Sequence, residues 1–177
     1  LLYLISKISK RHHRYNHFFE KIEKILQSIQ KEIKQFFPNS EIFKIFKSNK
    51  RTLLFLFEEN IITMDSNIIN EMKKGQLKDA NYEFYFYPEI KKFNDNQNKT
   101  DEFNEQNGKY IDIINQKDFN KKRLIGENDD ILCELIRKDS IEEFTSFITE
   151  NKVQLSSEIN HSIFETNPLL IDNKPTL

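Results

Sequence analysis

The stretch Ile131-Leu132-Cys133-Glu134-Leu135-Ile136-Arg137-Lys138-Asp139-Ser140-Ile141-Glu142-Glu143-Phe144 decides the fold class. Ile131, Leu132, Leu135 and Ile136 recur at the spacing of one helix face. Gly126-Glu127-Asn128-Asp129-Asp130 precedes them as a turn rich in residues that cap a helix start. Lys138-Asp139 makes a very short break. Ser140-Ile141-Glu142-Glu143 then has the form of a capping box, in which the Ser side chain takes an amide of the new helix and Glu143 reaches back. Ile141, Phe144, Phe147 and Ile148 give the second helix a stripe that is expected to be buried. Two short helices joined so tightly form an αα-hairpin at about 131–150. One hairpin cannot cover its own apolar face, so it needs neighbours.

This string resembles an ankyrin helix pair, with Asp139 standing where ankyrin units usually carry Gly. The longer sequence is similar to a family of protist ankyrin-repeat proteins that carry a domain of unknown function before the repeats. The pieces that carry this resemblance are Leu53-Leu54-Phe55-Leu56-Phe57-Glu58-Glu59, Tyr85-Phe86-Tyr87-Pro88-Glu89-Ile90, Gly126-Glu127-Asn128-Asp129, Ser162-Ile163-Phe164-Glu165-Thr166-Asn167 and Lys174-Pro175-Thr176-Leu177. They span most of the chain from about residue 50 onward. The Thr-Pro-Leu-His-x-Ala pattern of consensus repeats is absent in full, and Pro175-Thr176-Leu177 looks like the opening of a further repeat. The distance from Ile131 to that point exceeds the roughly 33-residue ankyrin period. The resemblance therefore implies a first unit that is atypical, as a cap is, or that carries an insertion at about 156–173.

Upstream, residues 1–37 read as helix, because Ile5, Ile8, Phe18, Ile22, Ile25, Ile29, Ile33 and Phe36 recur at steps of three and four. The weak point is His12 to Asn16. Pro38-Asn39-Ser40 ends this stretch, and Ser40 is placed to cap a short helix carrying Ile42, Phe43, Ile45 and Phe46. Asn49 opens a helix through Leu53, Leu54, Leu56 and Phe57. That run is apolar on nearly all sides and is expected at the centre of the core, with a strand as the competing reading. Asp65 or Ser66 caps a helix with Ile68, Ile69 and Met72 on one face, closed by Gly75. Pro88 belongs to the first turn of a helix, or its aromatic segment Tyr82–Phe93 is a loop. Residues 94–108 are mostly Asn, Gln, Asp, Glu and Lys, a composition that buries little and reads as a linker. The expected organisation is a helical N-terminal domain at 1–94, a flexible linker at 95–125 with room for a short helix at Tyr110–Ile114, and the ankyrin-like unit with the start of a further repeat at 126–177. The fold class is all-α, at the edge of a solenoid.

Composition agrees with this class. Three Gly and four Pro in 177 residues are too few for the turns of a β-sandwich. Sixteen Phe supply much of the apolar area, while 31% charged residues and a mean hydropathy of -0.68 suit helices with one charged face. A net charge of -1 argues against general nucleic-acid binding. The single Cys133 excludes an internal disulfide and points to a reducing, intracellular, cytoplasmic setting. Leu1-Leu2-Tyr3-Leu4-Ile5 lacks the basic flank and cleavage site of a signal peptide. Leu53 to Phe57 is far shorter than the roughly 18 residues of a membrane span. Without an initiator Met, the chain reads as a fragment of a longer protein.

No set of residues carries a chemistry. His12, His13 and His17 cluster, but a metal needs further ligands and none is near, so a solvated helix face is the expectation. Cys133 as nucleophile with His161 as base is weighed against an inert thiol in an apolar stripe, and the inert thiol is preferred. There is no Gly-rich phosphate loop. Glu58 and Glu59 are expected to be solvated at a helix end. The aromatic run Tyr82–Tyr87 is given to core packing rather than base stacking. Lys7, Lys10, Arg11, Arg14, Lys21, Lys24, Lys31 and Lys34 face three acids over 7–34. A charged face of a packed helix is the preferred reading there, and an anionic membrane or nucleic acid the rival. The function expected is a non-catalytic protein–protein interaction scaffold, with no cofactor, metal or small-molecule substrate. Its partners are a protein of unknown identity and downstream ankyrin repeats in cis. The alternative is a membrane-surface or nucleic-acid adaptor working through the basic N-terminal helix.

Overall fold

A computed structural model describes residues 1–11, 16–75, 77, 81–97, 112–154, 156, 158–159 and 162–167. Its regular elements are helices, and no strand forms among the described residues. They are α1 (Leu2–Arg11), α2 (Asn16–Ser28), α3 (Gln30–Phe36), α4 (Asn39–Phe46), α5 (Lys50–Glu58), α6 (Ser66–Met72), α7 (Tyr82–Tyr85), α8 (Tyr87–Asn96), α9 (Phe119–Ile125), α10 (Ile131–Arg137) and α11 (Ile141–Glu150). The all-α class is therefore observed. No described helix is long and apolar enough to cross a membrane.

The main core is built from α1 to α8. At its centre α5 buries Leu53, Leu54, Leu56 and Phe57, and the strand reading of this run is excluded. The side chain of Asn49 accepts from the Thr52 amide at 3.0 Å and so caps α5. The other end closes on Asn60, whose φ of +52° lets the Ile61 amide reach Leu56 O at 2.8 Å. Asp65 caps α6 by accepting from the Ile68 amide at 2.9 Å. Pro88 occupies the first turn of α8, where its missing N–H is harmless. Tyr82, Tyr85 and Phe86 are buried among these helices, with Phe86 edge-on to both Phe57 and Tyr85.

Three local readings are corrected. Residues 16–37 are not one helix: α2 ends at Ser28 and α3 begins at Gln30, with the break at Ile29, while the weak point at 12–15 lies outside the described residues. The buried side of α2 is Phe19, Ile22 and Leu26, one position on from the expected stripe, while Phe18 and Ile25 face outward. Second, Ser40 lies inside α4 and does not cap it. The helix starts at Asn39, and Pro38 O accepts from the amides of Glu41 and Ile42. Third, the Ser140 side chain makes no capping bond to α11, so the capping box is not formed.

The stretch assigned to a linker, 95–125, behaves differently in its described part. It holds the end of α8 and all of α9, and α9 is docked. Phe119 of α9 packs edge-on against Phe164, with Ile163 beside it and Phe84 of α7 against the cluster. Residues 98–111 lie outside the described residues. Gly126 ends α9 with φ +69°, and a Cβ there would stand 2.6 Å from Thr166 Oγ1 and 2.8 Å from Thr166 Cγ2. Thr166 is fixed in place because its amide and hydroxyl both donate to Gly126 O, at 3.1 and 2.8 Å. Gly126→Ala therefore meets two penalties at once, a left-handed backbone and a steric clash. It is expected to cost about 2–3 kcal/mol, read as a lowered denaturant midpoint with an unchanged slope.

Candidate interaction surface

The hairpin is held from below and open above. Asp130 caps α10 by accepting from the Leu132 amide at 2.9 Å, and the Asn128 side chain accepts from the Asp130 amide at 2.9 Å. Arg137, at the end of α10, donates to Asn128 O at 2.8 Å and pairs with Glu127 at 3.1 Å. The turn into α11 passes through Asp139 at φ +53°, a conformation that glycine adopts most cheaply. There the Ser140 amide reaches back to Leu135 O and the Asp139 amide to Ile136 O, which satisfies the last carbonyls of α10.

What the hairpin does not do is bury its apolar stripe. Only Leu135 is buried; Ile131 is 44% exposed, Ile136 51% and Ile141 75%. Phe144, Phe147 and Ile148 are half-buried, and α11 has no buried residue. The expected buried stripe of α11 is thus corrected: none of its residues is buried, although α11 packs against α10. Ile131, Leu135 and Phe147 line a shallow groove of about 460 Å³, rimmed by Glu142, Glu143 and Glu150.

Two buried cations, which sequence reasoning missed, join this unit to the N-terminal helices. Lys50, in the first turn of α5, is 1% exposed, and its Nζ donates to Ile163 O at 2.9 Å. The same ammonium lies 5.4 Å from the Tyr82 ring centre and 5.1 Å from that of Tyr85. Burial pulls the Lys50 amine down to about 7, against the opposing attraction of Glu165. Arg123 of α9, 3% exposed, pairs with Glu89 of α8 at 2.6 Å and lies over the rings of Tyr85 and Phe119. Tyr85 completes the junction by donating its hydroxyl to Arg123 O at 2.9 Å, and burial pushes its phenol well above the usual range. Neither cation carries a signal in sequence, where Lys50 reads as an ordinary helix-start residue and Arg123 as one of three successive basic residues. Their burial depends on partners 113 and 34 positions away.

The other singled-out residues separate. Cys133 is half-buried, and burial, helped by Asp130, pushes its thiol upward, away from the thiolate a nucleophile needs. His161, its proposed base, lies outside the described residues, as do His12, His13 and Arg14. His17 is exposed on α2. Among the described residues no three His, Cys, Asp or Glu side chains gather to hold a metal. Glu58 and Glu59 are exposed, and the described basic residues of 7–34 also point outward.

Compared with known proteins, no family model, no curated protein and no solved structure matches the chain. The functional reading accordingly rests on the geometry of this surface.

Proposed function

We propose that the chain is a non-catalytic interaction scaffold, in which the N-terminal helices cap one end of a stack of ankyrin-like helix pairs. The observation that carries this reading is the uncovered apolar face of α10 and α11, with Ile131, Ile136 and Ile141 all more than two-fifths exposed. A helix pair left so open gains stability when a further pair is laid on it, which is how solenoids are built. The left-handed backbone at Asp139 supports it too, since the resemblance puts Gly at that position. The Lys50 and Arg123 contacts tie the segments on either side of the pair, at Ile163 and in α9, to the helical body, which supports an end-cap. The partner-selecting surface then lies on the stacked pairs, and the site is intracellular.

The test compares thermal unfolding of the chain alone with that of the chain followed by several helix pairs. The added pairs are expected to raise the midpoint while unfolding stays a single transition. Ile136→Ser with Ile141→Ser removes that increment and leaves the chain alone about as stable as before, because both side chains are more than half exposed. A second, independent transition for the added pairs overturns the capping reading.

A further inference from the structure

We infer that α1 is a docking surface for an anionic lipid bilayer. The helix has two apolar sides. Leu2 and Ile5 enter the core, and Ser6 and Ser9 are buried with them. Ser6 Oγ donates to Ile45 O of α4 at 2.6 Å, which fixes the rotation of α1 on α4, while Ser9 Oγ donates within α1 to Ser6 O at 2.9 Å. Leu1, Leu4 and Ile8, at steps of three and four, therefore cannot turn inward. They are 76%, 58% and 37% exposed, and Tyr3 beside them is 64% exposed.

Charge decides what covers this stripe. Lys7 and Arg11 flank it on the exposed side, and residues 1–19 contain no acid, the first being Glu20. An apolar stripe flanked on its own helix by basic residues alone, with a tyrosine at its margin, fits an interface that is hydrocarbon below and negative above. A nucleic acid would use the cations but has no use for Leu1 and Leu4. A single helix of this kind binds weakly and reversibly, and attraction to anionic headgroups supplies much of its affinity. The hairpin groove, rimmed by glutamates, has the opposite charge and would be repelled by the same surface.

Co-sedimentation of the full chain with phosphatidylcholine vesicles, with and without phosphatidylserine, tests the inference. Binding is expected only where phosphatidylserine is present and is expected to weaken with added salt. Lys7→Glu with Arg11→Glu should weaken it by about tenfold or more, and Leu4→Ser by about fivefold. All three side chains are exposed, so circular dichroism and melting should be unchanged. Equal binding to both vesicle types, or none to either, overturns the proposal. So does loss with the charge reversals but not with Leu4→Ser, accompanied by binding to duplex DNA of similar strength, which would make the surface a nucleic-acid face.

Discussion

Raising the pH from 7 to 9 is expected to stabilise the chain by about 2 kcal/mol through Lys50, and Lys50→Met to remove that rise. The folded-state amine titrates near 7 and the unfolded one near its ordinary value of 10.5. Below pH 7 both states hold the proton, and the folded state bears the full cost of a charge shut away from water. Between the two values the folded state sheds the proton while the unfolded state keeps it. The unfolded state then binds more protons, and stability rises with pH until both are neutral. The rise is measured below pH 10, because Tyr85, whose phenol burial shifts upward, begins to act in the opposite sense there. For a chain of this length the Lys50 contribution corresponds to a melting shift of about 4–8 °C. Methionine fills a similar volume without a charge, so the Lys50→Met variant isolates the titration from the packing. A variant whose stability rises as steeply as the parent's would show that Lys50 is not the group responsible.

The second large effect is expected of Arg123→Ala, at about 3 kcal/mol. The guanidinium is almost wholly enclosed and Glu89 is one-fifth exposed, which puts the pair nearer the buried than the surface regime. Removing the arginine leaves Glu89 without its partner and empties the space between Tyr85 and Phe119. The loss is expected to be local, because Arg123 ties α9 to α7 and α8, and Phe119 of α9 belongs to a separate apolar cluster from Leu53, Leu54 and Leu56 of α5. Amide hydrogen exchange reads this directly: protection should fall over 119–137 and persist over 50–58. Glu89→Gln keeps an acceptor for Arg123 and should cost less than half as much. Equal loss of protection in both segments would mean that α9 and the main core are one cooperative unit and that the junction is not a hinge between two.

Some of this architecture could be read from the chain. The caps at Asn49, Asp65 and Asp130 were legible because a short side chain bonding two or three residues ahead is a local event. The central place of α5 followed from an apolar run too evenly distributed for a surface helix. Pro88 at a helix start was one of two readings the sequence allowed, and its fixed φ suits that position; the helix that Gly126 closes was not read at all. The phase of the N-terminal helices was not legible, since Phe18, Phe19, Ile22, Ile25 and Leu26 offer two apolar faces and only packing chooses between them. Ser140 failed as a cap although its spacing to Glu143 is right, because with the backbone at φ -93° and ψ 84° its side chain makes no capping bond.

The candidate surfaces divide in the same way. Periodicity marked both the hairpin stripe and the N-terminal stripe as apolar, but it cannot say whether a stripe is covered. Ile141 and Phe144 belong to one pattern in sequence, yet Ile141 is exposed and Phe144 half-buried. By itself the sequence determined the helical class and the caps at Asn49 and Asp65, which depend on neighbours within about four positions. The tertiary structure alone decided that Lys50 and Arg123 are buried cations, that α9 is docked, and which apolar faces remain open. Those outcomes depend on contacts between residues tens of positions apart, where burial is a property of the assembled surface and of no single segment.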